Sequence, residues 1–358
     1  MKKFTLKYEI MFTVLALFFM SFEAVSIQTG QSTNFKSKDI IISTGEVEIG
    51  GTLLVPHDMK STALVIFISG SSWQDRNNTI HGFPMFELAA THLANNGIAS
   101  FRYDDRGVGT STGDFNNSTI SDLTNDVIDI TNFFNVFERT PFRNFILIGH
   151  SQGGIVATRV ARGNPNIKGV VLAASPGVSI AELVLHQTRN EFDNDINSIE
   201  EVEEFVSSNN KLLYTISKRI DSAKVVEQFK NSYSPLLRNR LINQSPSEQE
   251  FKEKLNSATE LYVTNYGLPA LTSFLYVDPI DDIRQTTVPV LSLHGGRDTQ
   301  VKLALNKDRI EMALIEADIP YQIVVFEGAD HFFKENDDNY GSFVQGFLDS
   351  ISSWILTL

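Results

Sequence analysis

Residues 145–153 read Phe-Ile-Leu-Ile-Gly-His-Ser-Gln-Gly, and this stretch decides the fold. Its first four residues form a short apolar run typical of a buried β-strand, and residues 155–161 have a composition typical of a helix. Gly149 and Gly153 flank Ser151 at the turn between the two. Small flanking residues let a strand and a helix approach closely, so the pattern predicts a nucleophile elbow, a sharp turn that exposes the Ser151 hydroxyl.

Other apolar runs place this elbow in a larger pattern. Residues 39–55 alternate in polarity and predict an antiparallel hairpin, with Gly50 and Gly51 as its turn. After it, strand-like runs alternate with helical patterns, at residues 64–69, 99–103, 145–148, 169–173, 288–294 and 321–326. Strands that are apolar on both faces and separated by helices are typical of a mostly parallel sheet covered by helices on both sides. Functional residues are then expected at the carboxyl ends of the strands.

The strand pattern stops between residues 175 and 283, where helical spacing replaces it. This segment is predicted to be a helical cap inserted into a core of residues 38–174 and 284–358. Ser198 with Glu201, and Ser247 with Glu250, have the spacing of capping boxes and predict two helix starts there. The acidic run at residues 200–204 is interpreted as the solvated first turn of a helix, with a site for a cationic substrate group as the alternative.

A serine hydroxyl is a weak nucleophile, so Ser151 needs a base, and the base needs a carboxylate to hold it. His331 follows the run 321–326, and Asp298 follows the run 288–294, so both lie in loops at the same sheet edge as Ser151. The order Ser, Asp, His is the one expected on a sheet of this kind. Ser151, Asp298 and His331 are therefore the predicted catalytic residues.

Other residues of the same types are less well placed. His294 ends a strand before the acid, His150 adjoins the nucleophile with its side chain expected to point elsewhere, and His186 lies in the cap. Asp330 is adjacent to His331 and would reach its ring with difficulty, and Glu327 would need an unusual loop.

A tetrahedral intermediate also needs backbone amides that stabilise its oxyanion. The amide of Gln152 is predicted to be one donor, and the amide of Ser71, in the loop after the run 64–69, the other. A phosphate-binding loop is the alternative for this glycine-serine stretch, but it lacks the lysine of a P-loop.

Two further stretches support a family resemblance. Residues 70–76 read Gly-Ser-Ser-Trp-Gln-Asp-Arg, and residues 102–111 read Arg-Tyr-Asp-Asp-Arg-Gly-Val-Gly-Thr-Ser. Together with the elbow they resemble the α/β-hydrolase superfamily, and within it bacterial serine esterases and serine aminopeptidase-like members. The resemblance covers residues 38–358, is weakest in the cap, and implies the same three catalytic residues.

The chain departs from these relatives at Ser72 and Trp73, where they often carry Gly-Pro, and this affects the shape of the acyl pocket. Asp104, Asp105 and Arg106 are interpreted as a buried ion-pair and hydrogen-bond network rather than as acid or base groups. Aromatic side chains are expected to line a largely apolar acyl pocket, with Trp73, Phe274 and Tyr276 as candidates.

The N-terminus has the features of a secretory signal peptide. Lys2, Lys3 and Lys7 precede an apolar run at residues 11–20, and small residues suit cleavage after Ser26. The apolar run is short for a transmembrane helix, and an uncleaved anchor is the alternative. Residues 1–26 are thus a predicted signal peptide and residues 27–37 a flexible leader. The mature protein is expected in the periplasm or outside the cell, without stable membrane association.

Composition narrows the function classes. The 358 residues include no cysteine, which excludes disulfides, and the net charge of −13 disfavours nucleic acid as a partner. The sequence therefore predicts a secreted serine hydrolase that cleaves small carboxylic esters through an acyl-enzyme, with no metal or cofactor. A serine aminopeptidase, an acyltransferase with the same triad, and a non-catalytic binding protein are the alternatives. The oligomeric state does not follow from the sequence.

Overall fold

The structure, a computed structural model, describes residues 34–136, 142–193, 196–221, 223–335 and 342–358. The predicted signal peptide, residues 1–26, and most of the predicted leader lie outside the described residues. Within them, the chain forms two compact units, one of Ala181–Leu275 and one of the rest.

The strands are β1 (Phe35–Ser43), β2 (Glu48–Pro56), β3 (Ala63–Ile68), β4 (Thr79–Ile80), β5 (Phe83–Pro84), β6 (Ala99–Tyr103), β7 (Asn144–His150), β8 (Ile167–Ala173), β9 (Val290–Gly295) and β10 (Tyr321–Phe326). The helices are α1 (Met85–Asn95), α2 (Ile120–Val136), α3 (Gly153–Ala161), α4 (Ile180–Phe192), α5 (Ile199–Ser217), α6 (Ala223–Arg240), α7 (Glu248–Gly267), α8 (Pro269–Thr272), α9 (Pro279–Arg284), α10 (Leu303–Glu316) and α11 (Phe347–Ile355).

The larger unit is built on a sheet that, in the described chain, has eight strands in the order β1-β2-β6-β3-β7-β8-β9-β10. Strand β2 pairs antiparallel with β1 and with β6, and the pairs from β6 to β10 are all parallel. Every residue of β3 and of β9 is buried, as expected for strands covered on both faces. The predicted fold class, an α/β-hydrolase fold with a mostly parallel sheet, is confirmed.

Helices cover the two faces of this sheet. Ile146 and Ile148 of β7 belong to one apolar cluster with residues of α1 and α11. Because side chains alternate along a strand, Phe145 and Leu147 face the other side, where α3 packs against β7. Both pairs are completely or almost completely buried, so the middle of the sheet is the hydrophobic core of this unit.

The strand order fixes where a site can form. From β3 the main sheet continues to β6 on one side, whereas from β7 it continues to β8 on the opposite side. Loops that leave β3 and β7 at their carboxyl ends therefore diverge and open a crevice between them. Ser71 and Ser151 follow these two strands.

The predicted hairpin forms, but its turn was placed wrongly. The turn lies at residues 44–47, where Thr44 Oγ1 accepts from the Val47 amide at 3.1 Å and Gly45 adopts a positive φ of 90°. Gly50 and Gly51 lie inside β2, and a Cβ atom on Gly51 would overlap the Phe101 ring and the Arg102 carbonyl of β6. These glycines therefore serve close strand packing rather than a turn. The predicted leader also extends too far, because β1 begins at Phe35, whose partner is Pro56.

The smaller unit is helical and contains the residues from Ala181 to Leu275. Both predicted capping boxes are present, Ser198 with Glu201 at the start of α5 and Ser247 with Glu250 at the start of α7. Its interior is rich in aromatic rings, with Phe205 stacked on Tyr233 at 5.1 Å and Phe229 on Tyr262 at 5.0 Å between ring centroids.

Candidate active site

Ser151 occupies the sharp turn between β7 and α3, with a positive φ of 53°. A residue with a side chain rarely adopts this left-handed conformation, which costs about 1–3 kcal/mol and is found mainly at functional sites. A Cβ atom on Gly149 would overlap the backbone of Gly153, and one on Gly153 would overlap the carbonyls of Ile68 and Ser69. Both glycines are thus required for the close approach that the sequence predicted.

His331 and Asp298 meet in the structure. The Nδ1 atom of His331 lies 2.7 Å from Oδ2 of Asp298, and both side chains are almost fully buried. Because a carboxylate only accepts, Nδ1 carries the hydrogen and Nε2 of the neutral ring is left as an acceptor. This is the tautomer that a general base needs.

Asp298 is held in place by more than the histidine. Its Oδ1 accepts from the amides of Gln300 and Val301, each at 2.8 Å. Burial by itself would raise the pKa of Asp298, but its charge interaction and hydrogen bond with His331, together with these amides, lower it overall. The carboxylate therefore stays ionised and orients the base.

The two loops after β9 and β10 are joined by backbone bonds. The Arg297 amide donates to the Ala329 carbonyl at 2.9 Å, and the Gly296 amide donates to the Phe326 carbonyl at 2.9 Å. At the other side, Nε2 of His150, the residue before Ser151, lies 3.0 Å from the carbonyl oxygen of His331. The nucleophile turn and the base loop are therefore in direct contact.

Within the described residues, neither the Ser151 hydroxyl nor Nε2 of His331 has a hydrogen-bond partner. Hydrogen bonds between a nucleophile and its base are often long in unliganded proteins and shorten when substrate binds. Both atoms are thus available for chemistry at the carboxyl edge of the sheet.

The two predicted oxyanion donors lie in segments next to Ser151. Gln152 directly precedes α3, where the first amides of a helix have no partner within the helix. The loop that carries Ser71 passes beside the nucleophile, since a Cβ atom on Gly70 would lie 3.2 Å from Cβ of Ser151. In the described part of the chain the amides of Ser71 and Gln152 donate to no protein acceptor, which suits an anion site.

Residues 69–74, called the oxyanion loop after the role predicted for Ser71, are bonded at both ends to Asp105. The Ser69 hydroxyl donates to the Asp105 carboxylate at 2.8 Å, and the Gln74 amide donates to Oδ2 of Asp105 at 2.8 Å. The Asp105 amide in turn donates to the Gln74 carbonyl at 3.1 Å. One buried carboxyl group therefore bridges the two ends of this loop.

Asp104 and Arg106 belong to the predicted buried network, but each pairs with a residue outside the stretch 104–106. Arg76 pairs with Asp104 at 2.6 Å, and Arg106 pairs with Asp126 at 2.7 Å. Asp105 has no cationic partner among the described residues. Burial raises its pKa to about 7, with the nearby charges of Asp126 and Asp104 adding to this effect.

The rejected candidates have structural roles. Oδ1 of Asp330 accepts from the amides of Phe332 and Lys334 and so shapes the base loop. His294 bonds with Ser292 at 2.9 Å, and burial lowers its pKa to about 4. The expectation that the His150 side chain points elsewhere was wrong, because its ring lies 4.9 Å from the ring of His331. Nothing in the local pattern indicates this contact, or the bond between Ser69 and Asp105.

Two of the four carboxylates in the acidic run have partners within the helical unit. Glu201 completes a capping box with Ser198, and Glu203 pairs with Arg189 at the surface. Glu200 and Glu201 lie in the first turn of α5, as interpreted from the sequence.

Of the aromatic residues predicted to line an acyl pocket, Trp73 and Tyr276 are exposed over 41% and 43% of their surface, and Phe274 is completely buried. No helix in the described ranges is long and apolar enough to cross a membrane. The same ranges contain no group of three or more residues that could hold a metal ion.

Comparisons with known proteins identify the family and the fold of the chain. The family model described as "Serine aminopeptidase, S33" matches residues 81–334. An esterase of Pyrococcus furiosus has a TM-score of 0.56 and 16% identity, over 93% of each chain. A proline iminopeptidase of Mycobacterium smegmatis has a TM-score of 0.52 and 15% identity, over 89% of this chain and 98% of that one.

A search of curated proteins gives no match. The structural likeness, at such low identity, concerns the fold, whereas the family model matches residues 81–334, which is more than half of the chain. The chain therefore belongs to the serine aminopeptidase S33 family of α/β-hydrolases.

Proposed function

We propose that this protein is a secreted serine hydrolase that cleaves small carboxylic esters through an acyl-enzyme. The observation that carries the proposal is the hydrogen-bonded pair of Asp298 and His331 beside a serine held at a φ of 53°. Membership in a hydrolase family supports it independently.

In the first half-reaction, Oγ of Ser151 attacks the ester carbonyl carbon while Nε2 of His331 takes the hydroxyl proton. The carbonyl oxygen becomes an oxyanion, which the amides of Ser71 and Gln152 stabilise. Each such donor contributes about 3–4 kcal/mol to transition-state stabilisation. The intermediate then collapses, the bond to the leaving oxygen breaks, and His331 gives its proton to the departing alcohol.

In the second half-reaction, water attacks the acyl carbon of the Ser151 ester, and His331 now takes a proton from that water. Collapse of the second intermediate returns the proton to Oγ of Ser151 and releases the carboxylic acid. Asp298 stays ionised throughout and stabilises the imidazolium that forms twice in each cycle. No group beyond these residues and water takes part in either step.

The choice of an ester over an N-terminal peptide depends on the carboxylates of the helical unit. An aminopeptidase needs a carboxylate for the substrate ammonium, and the sequence offered residues 200–204 for this role. Glu201 is already engaged with Ser198 and Glu203 with Arg189. Glu200 and Glu204 have no partner among the described residues. The family description keeps an aminopeptidase as the second candidate, and an acyltransferase would use the same triad with an acceptor other than water.

Secretion is part of the proposal and is supported by the N-terminal sequence pattern. Basic residues, a short apolar run and small residues before the cleavage point are typical of signal peptides. Cleavage after Ser26 would leave a protein that is free in the periplasm or outside the cell.

The test compares two substrates, a short nitrophenyl ester and an aminoacyl nitroanilide, with Ser151→Ala as the control variant. We expect ester turnover without appreciable amide turnover, and a loss of the order of 10⁶-fold in kcat in Ser151→Ala. Preferential amide turnover would assign the aminopeptidase activity instead. Ester turnover that survives in Ser151→Ala would overturn the proposed mechanism.

A further inference from the structure

A second histidine lies inside the active site without belonging to the triad. His150 is the last residue of β7, directly before Ser151, and only 3% of its surface is exposed. Its ring lies 4.9 Å from the ring of His331 and 5.7 Å from the ring of Phe332, measured between centroids. The His150 ring therefore packs against the base, His331, and against Phe332, the residue that follows His331.

The protonation of this ring follows from its surroundings. Nε2 of His150 lies 3.0 Å from the backbone carbonyl oxygen of His331, and since a carbonyl only accepts, Nε2 carries the hydrogen. Burial, together with the charge of His331, lowers the pKa of His150 to about 3, so the ring is neutral and Nδ1 is unprotonated. Nδ1 faces the oxyanion loop, where a Cβ atom on Gly70 would lie 3.5 Å from it.

The hydrogen bond from His150 adds a second contact that holds the base, His331, in position. Asp298 holds the His331 ring at Nδ1, and His150 holds the His331 backbone at its carbonyl. Because His150 and Ser151 are consecutive, the nucleophile and the base are linked through one peptide unit and one hydrogen bond. A displacement of reacting groups by about 1 Å costs about 100-fold in rate, so such a link bears directly on catalysis.

We propose that His150 is a positioning residue that sets the distance between the Ser151 hydroxyl and the His331 ring. This inference rests on the proposed function of Ser151 and His331. It assigns no proton transfer to His150, whose single ring hydrogen stays on Nε2 and is donated to the His331 carbonyl. A neutral ring suits this place, since a cation beside His331 would oppose the imidazolium that forms during the reaction.

The competing explanation is that His150 only fills space in a buried region. The two roles predict different effects for a substitution of His150. Gln and Met have unbranched side chains of similar length, but only Gln offers an N–H donor. A space-filling role favours the apolar Met in a buried position, whereas a positioning role favours Gln.

The test measures kcat and KM for a nitrophenyl ester in the full chain carrying His150→Met, His150→Leu or His150→Gln. We expect kcat to fall by about 100-fold in His150→Met and His150→Leu with little change in KM, because the lost interaction concerns the transition state. His150→Gln should recover most of that loss. Thermal unfolding of each variant verifies that the apolar variants are folded.

Three results would overturn the inference. The first is a kcat near that of the wild type in His150→Met or His150→Leu, the second is a lower kcat in His150→Gln than in His150→Met, and the third is an equal loss of kcat in all three variants. His294→Leu, at a second buried histidine with no bond to the triad, is the matched control and should keep a kcat close to the wild type. If Ser151→Ala abolishes turnover while the three His150 variants behave alike, the proposed function stands and only the role of His150 fails.

Discussion

At the scale of single residues, the sequence predicts some residues of the candidate site and gives no indication of others. Ser151, Asp298 and His331 were selected because each follows a strand, and the structure brings Asp298 and His331 within 2.7 Å. The role of His150 could not be predicted, because its partner lies 181 residues away and a histidine before a serine has no periodic signature. Local sequence thus indicates where a loop lies, while side-chain partners across loops require coordinates.

The residue scale carries a prediction for Asp298. Replacing Asp298 with Asn should lower kcat by about 10⁴-fold with little change in KM, because an amide that donates to His331 Nδ1 stabilises the wrong tautomer. Steady-state kinetics on a nitrophenyl ester measures both constants. The control is Asp330→Asn, whose carboxyl accepts only loop amides and whose loss of kcat should be far smaller. Equal losses in both variants would contradict the assignment of Asp298.

At the scale of elements, the loop after β3 is held by a carboxyl group that has no cationic partner in the described chain. The sequence correctly indicated a buried network at residues 104–106, but it could not show that Arg106 pairs with Asp126. Asp105 is therefore left to bond the two ends of the oxyanion loop at Ser69 and Gln74. A buried carboxylate without a cationic partner lowers the stability of the fold when it is ionised. Asp105 therefore holds the loop in place at a cost to stability.

The element scale carries a prediction for the pH dependence of stability. Burial raises the pKa of Asp105 to about 7, whereas an unfolded carboxyl titrates near about 3.9. The folded protein binds this proton more tightly than the unfolded chain does. The contribution of the protonated carboxyl to the free energy of unfolding is therefore fully present below the unfolded pKa, and it is lost as the pH rises through about 7. Asp105→Asn stays neutral at every pH, so its Tm relative to the wild type should rise by several degrees between pH 5 and pH 8.

Differential scanning calorimetry at the two pH values tests this expectation. The carboxamide oxygen of Asn accepts one amide and its nitrogen donates to a hydroxyl, so both ends of the loop keep a partner. Asp308→Asn, at a side chain that is 84% exposed, is the surface control and should show no such trend. A Tm difference for Asp105→Asn that is the same at pH 5 and pH 8 would contradict the buried ionisation.

At the scale of the whole molecule, the sequence predicted the fold class because apolar runs separated by helices permit few arrangements. The spatial strand order and the antiparallel pairing of β2 with β6 depend on long-range contacts and could not be read in the same way. The misplaced hairpin turn has a related cause. Gly50 and Gly51 pack so closely against residues far along the chain that a side chain would not fit there. The division into an α/β core, a helical cap and a cleaved signal remains a prediction for the mature protein.

The most direct test of the account is the intact mass of the whole protein, secreted from a bacterial host and treated with a fluorophosphonate, followed by peptide mapping. A chain beginning at Ile27 should carry a single phosphonyl group, located on Ser151, and Ser151→Ala should carry none. Such an adduct requires a serine activated by a base, which is the central claim for Ser151 and His331. No adduct on the wild type, or an adduct that persists in Ser151→Ala, would contradict it.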